Sequence, residues 1–476
     1  MSYTEHPYGL FRTVTNNGGS YSFSYDYIQP ETLMPMDIAA LQYLYGANTS
    51  YRSGKDVYTF DPATPFIKTI YDAGGVDTIS VVNFTRGCTI DLRDGHFSSI
   101  RIPSDPLPTG YTELNPGIYD GTDNLGIAFD TVIENATGGL GADALTGNAV
   151  ANVLNGGGAA DTMTGGAGSD TYYVNHAGDR AIETDAVRAT GGTDAVWCYL
   201  ATYTLGTNIE NGRILRTGNA TLNGNALNNL LTSGSGDSVL RGAAGADTAD
   251  YARAATAVTV TLALTTAQAT GGSGTDTLTT IENLTGSAHN DQLTGNAAAN
   301  TLNGGNGADT LAGGGGGDLL SGGAGADRLS GGGGVDVFLF NGLSDSDTIT
   351  DFASASDRLR IAQGGIRVGD GDTQIEGATT IAGPGGFAAA AELVVVTADI
   401  GSGLGAANAA AAIGSASGAY AVGRTALFMV NDGASSALYR FTAANADAQV
   451  SAAELTLLAT LSGTAATATA DLIFTA

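Results

Sequence analysis

The chain has 476 residues, 71 of them glycine, and its 47 acidic side chains outnumber 19 basic ones to leave a net charge of −28. That balance excludes nucleic-acid backbones and anionic membrane surfaces as partners and favours cations. The glycine content argues against ordinary compact domains and for a repetitive architecture.

The opening MSYTEHPYGLF lacks the basic start and apolar run of a secretory signal peptide. No stretch approaches the ~20 apolar residues that span a bilayer, so no membrane insertion is expected. YSFSYDYI puts Tyr21, Phe23, Tyr25 and Tyr27 on one face of a strand that follows an Asn17-Gly18-Gly19 turn. PMDIAALQYLYG predicts a short helix, opened by Pro35 and stopped by Gly46. The two cysteines, Cys88 and Cys198, sit far apart in unlike contexts and are expected to be unpaired thiols.

Three arrays of nine-residue blocks follow. The first reads GGLGADALT, GNAVANVLN, GGGAADTMT, GGAGSDTYY, with Asp143, Asn152, Asp161 and Asp170 in sixth place. The second, worn, reads GNALNNLLT, SGSGDSVLR, GAAGADTAD, with Asn229 and Asp247 in frame and Ser238 out of character. The third runs unbroken through six blocks from Gly286 to Leu339, and its sixth places hold Asp291, Asn300, Asp309, Asp318, Asp327 and Asp336. Between arrays, TDAVWCYLATYTL and AVTVTLAL read as strands, and Trp197, Tyr199 and Tyr203 are expected to pack rather than bind.

The pattern G-G-x-G-x-D-x-U-x resembles the calcium-binding nonapeptide of RTX proteins. The chemistry suits it. Glycine adopts positive φ and lets carbonyls approach an ion, while calcium takes six to eight oxygens. The turn positions expected to serve are Gly139 and Gly141, Gly166 and Gly168, Gly305 and Gly307, Gly314 and Gly316, Gly323 and Gly325, and Gly332 and Gly334. The last three places form a short strand with its middle residue, such as Leu311, Leu320 or Leu329, turned inward. The resemblance implies a parallel β-roll in which each turn stacks on the one eighteen residues later. Asp291, Asp309 and Asp327 would then form one ladder, and Asn300, Asp318 and Asp336 the other. Nine residues before Asp143 and Asp291 stand Glu134 and Glu282, each in an Ile-Glu-Asn triplet, and each looks like the first ligand of its array. A third triplet holds Glu210, one residue out of frame with Asn229, so no such role is extended to it. After Phe340, the segment NGLSDSDTITDFASASDRLRI resembles the closing segment of RTX rolls, where Asp347 and Asp357 would complete a terminal calcium site. The alanine-rich tail ending DLIFTA resembles the region by which such proteins address the type I secretion apparatus, which implies an extracellular protein; a terminal strand closing a small domain is the alternative.

The front end is similar to the serralysin family of secreted zinc metallopeptidases. The resemblance rests on Met1-Ser2-Tyr3, DIAALQYLYGAN, YRSGKDVYTF, YDAGGVDT and IDLRDGHFSSI. It makes Met1 and Tyr3 a remnant of the Met-turn. It also implies a calcium site from Arg52, Gly54 and Asp56 with Asp72, Gly74, Gly75 and Asp77. The zinc motif H-E-x-x-H-x-x-G-x-x-H is missing, since His6, His96, His176 and His289 show no such spacing. Zinc would enter only with an upstream catalytic domain, and the chain is expected to be inactive alone. It reads as the C-terminal portion of a serralysin-like protease, as a fragment, a mis-assigned start or a stand-alone descendant. The other reading is a structural or adhesive RTX surface protein.

The fold class expected is mainly β, with parallel β-roll arrays, flanking β segments and one short N-terminal helix. Residues 1–130 would end the peptidase-like region and enter the roll. Arrays would occupy 131–175, 224–250 and 281–363, with β spacers at 176–223 and 251–280 and the secretion region at 364–476. Ordering a nine-residue block costs about 1–2 kcal/mol per residue, while its buried leucine returns roughly 1.5–3 kcal/mol. The arrays should therefore be disordered without calcium. Far-ultraviolet circular dichroism in chelator should lose strand signal that calcium restores; identical spectra would refute this.

Overall fold

The computed structural model describes residues 6–343, 345–401 and 403–476, apart from the side chain of residue 188. Met1 and Tyr3 lie outside the described residues. The chain divides into two compact units, residues 1–216 with 224–227, and residues 217–223 with 228–476.

In the first unit, three-residue strands stack in parallel along two ladders. One ladder climbs from Val57–Thr59 through Thr78–Ser80, Asn135–Thr137, Val153–Asn155 and Thr171–Val174 to Ala195–Cys198 and Asn211–Ile214. The other joins Thr89–Asp91, Ala144–Thr146, Thr162–Thr164 and Arg180–Ile182. Leu145 pairs with Met163 and Leu154 with Tyr172, so two nonapeptides make one turn of the roll. Three residues between glycine turns leave room for one inward side chain. Ile79, Ile90, Leu145, Leu154, Met163 and Tyr172 all fill that place and are buried.

Before the roll come a hairpin and a helix. Leu10–Asn16 pairs antiparallel with Tyr21–Tyr27, and the Asn16 side chain accepts the Gly18 and Gly19 N–H groups at 3.1 and 3.2 Å. Tyr21 and Phe23 pack on Tyr111, while Tyr25 and Tyr27 face solvent. The helix runs Pro35–Tyr45 as its punctuation predicts: Pro35 starts it, and Gly46 at φ 82° ends it. Only Pro35 is buried; Met36, Tyr43, Leu44 and Tyr45 are exposed. An apolar-lined cavity of about 860 Å³, contacted by Ile38, Leu41, Tyr58, Ile70 and Leu125, contains none of the ladder carboxylates.

The second unit repeats the design more regularly. Asn283–Thr285, Thr301–Asn306, Leu319–Ala324, Val337–Phe340 and Arg358–Ala362 form one parallel ladder. Gln292–Thr294, Thr310–Gly315, Arg328–Gly333 and Asp347–Ile349 form the other. Leu302, Leu311, Leu320, Leu329 and Phe338 line the interior. The spacer AVTVTLAL supplies a ladder rung at Thr259–Thr261, paired in parallel with Gln292–Thr294.

The tail is not an extended appendage. Leu393–Asp399, Thr425–Asn431, Ser436–Thr442 and Leu455–Leu461 make a sheet that continues the second ladder through Asp347–Ile349. The helix Ala406–Ile413 covers it, favoured by an alanine-rich run between Gly405 and Gly414. Phe387, Phe428, Phe441 and Tyr420 pack at its centre. The final strand, Leu472–Thr475, lies parallel to Arg358–Ala362 and closes the first ladder.

Glycine has two distinct reasons in these turns. Gly334 sits at φ 142°, where a Cβ would also overlap the Gly316 carbonyl oxygen. Gly139 and Gly141, expected at positive φ, are not there; instead a Cβ would strike the Phe84 carbonyl and the Gly87 nitrogen respectively. Close approach, not left-handed backbone, demands glycine at those two. Next to Gly334, Gly333 faces open space. Gly334→Ala should therefore destabilise the calcium-loaded roll by about 1–3 kcal/mol from backbone strain alone, whereas Gly333→Ala should be nearly neutral. Equal thermal midpoints for the two variants would contradict this account.

Candidate calcium ladders

Apart from Asp143 and Asp291 at the first turns, whose Oδ1 atoms accept from Cys88 and Val258, the turn aspartates are held in the same way. One carboxylate oxygen, Oδ1, accepts the backbone N–H of the aspartate one roll-turn earlier. Asp291 N–H donates to Asp309 at 2.7 Å, Asp309 to Asp327 at 2.8 Å, and Asp327 to Asp347 at 3.1 Å. Opposite them, Asn300 donates to Asp318, Asp318 to Asp336 and Asp336 to Asp357, at 2.7, 2.9 and 3.1 Å. The first unit repeats this from Asp143 to Asp161 and from Asn152 to Asp170, both at 2.7 Å. In the worn array Asn229 donates to Asp247 at 2.7 Å.

The second oxygen is left over. Oδ2 of Asp161, Asp170, Asp247, Asp309, Asp318 and Asp327 is buried with no hydrogen-bond partner. It faces the glycine that opens its own block: a Cβ on Gly304, Gly313 or Gly322 would run into Oδ2 of Asp309, Asp318 or Asp327. Carbonyls of Gly305 and Gly307 lie directly against Gly323 and Gly325 of the next turn. A buried anionic oxygen without a donor is costly. The surrounding donor set is carbonyl and carboxylate oxygen, which fits a hard cation such as calcium. Burial pushes the Asp161, Asp170 and Asp309 acids up to about 7 and raises Asp143, Asp318, Asp327 and Asp336 above the usual carboxylate range.

Asparagine closes the same place without an ion. The Asn152 and Asn300 amides donate to the Glu134 and Glu282 carbonyls at 2.9 and 2.7 Å. Their Oδ1 atoms accept from Asn148 and Asn296, both at 2.7 Å. Glu134 and Glu282 themselves accept ladder N–H groups, from Asp77 at 2.6 Å and Asp247 at 2.8 Å.

The front cluster gathers as the motif implies. Carboxylate oxygens of Asp56, Asp72 and Asp77 lie within 4.8 Å of one another. Asp77 accepts the Asp56 N–H at 2.7 Å through Oδ1, and its Oδ2 is buried and unpartnered. Gly74 and Gly75 take φ 137° and 147°, and a Cβ on Gly75 would strike the Gly54 carbonyl. Arg52, at φ 50°, turns its guanidinium toward Asp56 at 3.7 Å.

Several ladder members escape the sequence reading. Glu210 does what Glu134 and Glu282 do, accepting the Asp194 N–H at 2.8 Å; its Ile-Glu-Asn triplet was the available signal, and frame with Asn229 was the wrong test. Asp179, nine residues after Asp170, accepts the Asp161 N–H at 3.0 Å, so the frame survives one block past its last glycine pair. Asp276 accepts from Ser238 at 2.7 Å. Asp347 and Asp357, expected to share one terminal site, cap different ladders. Both thiols are free and buried. Trp197 packs edge-on against Tyr173 with Arg213 over its ring, while Tyr199 is exposed.

The nonapeptides match a model of the RTX calcium-binding nonapeptide repeat (4 copies) over residues 137–172, 217–252, 285–320, 303–338 and 312–349. The chain is similar to serralysin of Proteus mirabilis, 36% identical over 121 residues, 23% of this chain and 21% of that protein. It is 34% identical to serralysin B of Dickeya chrysanthemi over 144 residues, covering 28% and 25%. It is 29% identical to metallopeptidase AprA of Pseudomonas marginalis over 152 residues, covering 29% and 28%. The chain spans about a quarter of the length of the curated relatives it matches. The chain carries RTX calcium-binding repeats stacked as a β-roll and is similar in part to the serralysin and AprA metalloproteases.

Protons and cations compete for the leftover oxygens. Unfolded aspartates titrate near 3.9, while folded, metal-free Asp161, Asp170 and Asp309 titrate at about 7. The stability these groups contribute without metal is thus fully present below about pH 4 and lost as pH rises through about 7. In chelator, strand signal should be greater at pH 5 than at pH 8. The reverse order would contradict the burial of these acids.

Proposed function

We propose that this chain is a secreted calcium-folded β-roll, and that it serves as the C-terminal portion of a serralysin-like extracellular metalloprotease. The observation that carries the calcium reading is the row of buried, donor-free carboxylate oxygens facing glycine turns. The residues that would hold the ions are Asp161, Asp170, Asp247, Asp309, Asp318, Asp327 and Asp336, with Glu134 and Glu282 at the array entrances. Asp143 and Asp291 stand at the first turns, where other donors already occupy their oxygens. Asp347 and Asp357 would close the two ladders. Asp56, Asp72 and Asp77, with carbonyls of Arg52 and Gly54, form a further site. Calcium supplies the positive charge that these oxygens lack and so makes folding depend on the ion.

Two features support the protease reading. The similarity to serralysins and AprA is one. The other is the exposed apolar helix Pro35–Tyr45, whose Tyr43 and Tyr45 rings stand almost fully in solvent, as suits a surface that a catalytic domain would cover.

Export would use the type I apparatus and a C-terminal address. Leu472 and Phe474 are buried in the closing strand, and Asp471 is fully buried, accepting the Ser354 hydroxyl at 2.7 Å. A folded terminus of this kind is hidden, so the address would be read before the roll forms. Low calcium inside the cell and high calcium outside supply that order.

One preparation tests both halves of the proposal. On a blot the chain should bind radioactive calcium, and in a casein gel it should leave no cleared band. Absence of bound calcium would end the first half, and a calcium-dependent cleared band would end the view that catalysis lies in a separate domain.

A further inference from the structure

The nine-residue frame breaks after Asp179 in an unusual way. Roll partners in the arrays stand 18 residues apart, yet Asp170 donates its N–H to Asp194, 24 residues on, at 2.7 Å. Six extra residues, including the helical turn Arg188–Gly191, are looped out between them. The place that opens each block of the first array is glycine, at Gly138, Gly147, Gly156 and Gly165. In the next block of that ladder it is Glu183.

The consequence is a third carboxylate where the array has none. Oxygens of Asp170, Glu183 and Asp194 lie within 4.8 Å of one another, and all three residues are buried, at 1%, 5% and 1% exposure. Oxygens bound to one calcium at about 2.4 Å can be no more than about 4.8 Å apart. Asp170 Oδ2 is buried with no partner. A Cβ added to Gly165 would run into both that oxygen and the Tyr172 hydroxyl, so this space is kept clear by glycine. The remaining bonds orient the set. Glu183 Oε1 accepts the Thr184 and Asp185 N–H groups at 2.6 and 2.8 Å, and Tyr172 donates to Oε2 at 3.0 Å.

We propose that Asp170, Glu183 and Asp194 form a distinct calcium site at the frame break, holding the ion through three carboxylates and more tightly than the turns of the unbroken array. The inference rests on the reading that the turns bind calcium. Affinity for calcium rises with the charge and rigidity of the ligand set, and here both exceed what a ladder aspartate with turn carbonyls supplies. The site fastens the end of the first array to the strands Ala195–Cys198 and Asn211–Ile214. It would fill first as calcium rises.

The test is calcium titration calorimetry on the whole chain, with terbium luminescence excited through tyrosine as a second readout. Tyr172 touches the site and should sensitise the first terbium bound. In Glu183→Gln the tightest calcium step should weaken at least tenfold, the early terbium emission should fall, and later steps should stay. Asp309→Asn should spare the tightest step. If Glu183→Gln does not fold in calcium by circular dichroism, Glu183→Gly, which restores the residue of the regular blocks, gives the same comparison. A wild-type isotherm reproduced by the Glu183 variant overturns this site while leaving calcium binding by the turns intact. No calcium uptake by the wild-type chain overturns both.

Discussion

The structure depends on one bond repeated along each ladder, from the backbone N–H of a turn aspartate to Oδ1 of the aspartate one roll-turn later. It sets the stacking distance, fixes the aspartate rotamer, and aims Oδ2 at the glycine turn. Asp309 shows the result: one oxygen satisfied at 2.7 Å, the other buried without a partner. Such half-satisfied groups are expensive in a protein interior, and here they recur at Asp161, Asp170, Asp247, Asp309, Asp318 and Asp327. The fold therefore carries a standing electrostatic deficit that only a proton or a cation removes.

Glycine follows from that constraint. A Cβ at the block-opening position would occupy the space where Oδ2 points, and one at the second or fourth place would strike the turn below. Exchanging aspartate for asparagine resolves the deficit differently: the Asn152 and Asn300 amides donate to neighbouring carbonyls and need no ion. Each array thus mixes turns that require charge compensation with turns that do not.

The roll blocks contrast with the tail in how they are stabilised. A roll block buries one apolar side chain in nine residues, while Thr425–Asn431 is buried along its whole length and meets Phe387, Phe441 and a covering helix. The tail has an ordinary hydrophobic core and continues both ladders of its unit, through Asp347–Ile349 and through Arg358–Ala362. It covers strand edges that the roll would otherwise leave open to further pairing.

Much of this was legible in the residues alone, because the repeat is local. A nine-residue period with glycine, aspartate and leucine in fixed places marks the turn, the strand and the inward residue before any tertiary contact is known, and the resemblance to RTX repeats adds the two ladders. The helix over 35–45 was equally plain from Pro35 and Gly46. What the tertiary structure decided lies where the period fails. Glu210, Asp276 and Asp194 join the ladders at offsets of 16, 38 and 24 residues, and no fixed ruler finds them, because residues gained or lost between rungs change the count without changing the stacking. Asp347 and Asp357 are close in sequence yet finish opposite ladders, since consecutive strands of a roll belong to opposite sheets. The tail's place as the closing layer also came only from the fold, because which edge a strand covers depends on pairing between residues more than a hundred positions apart.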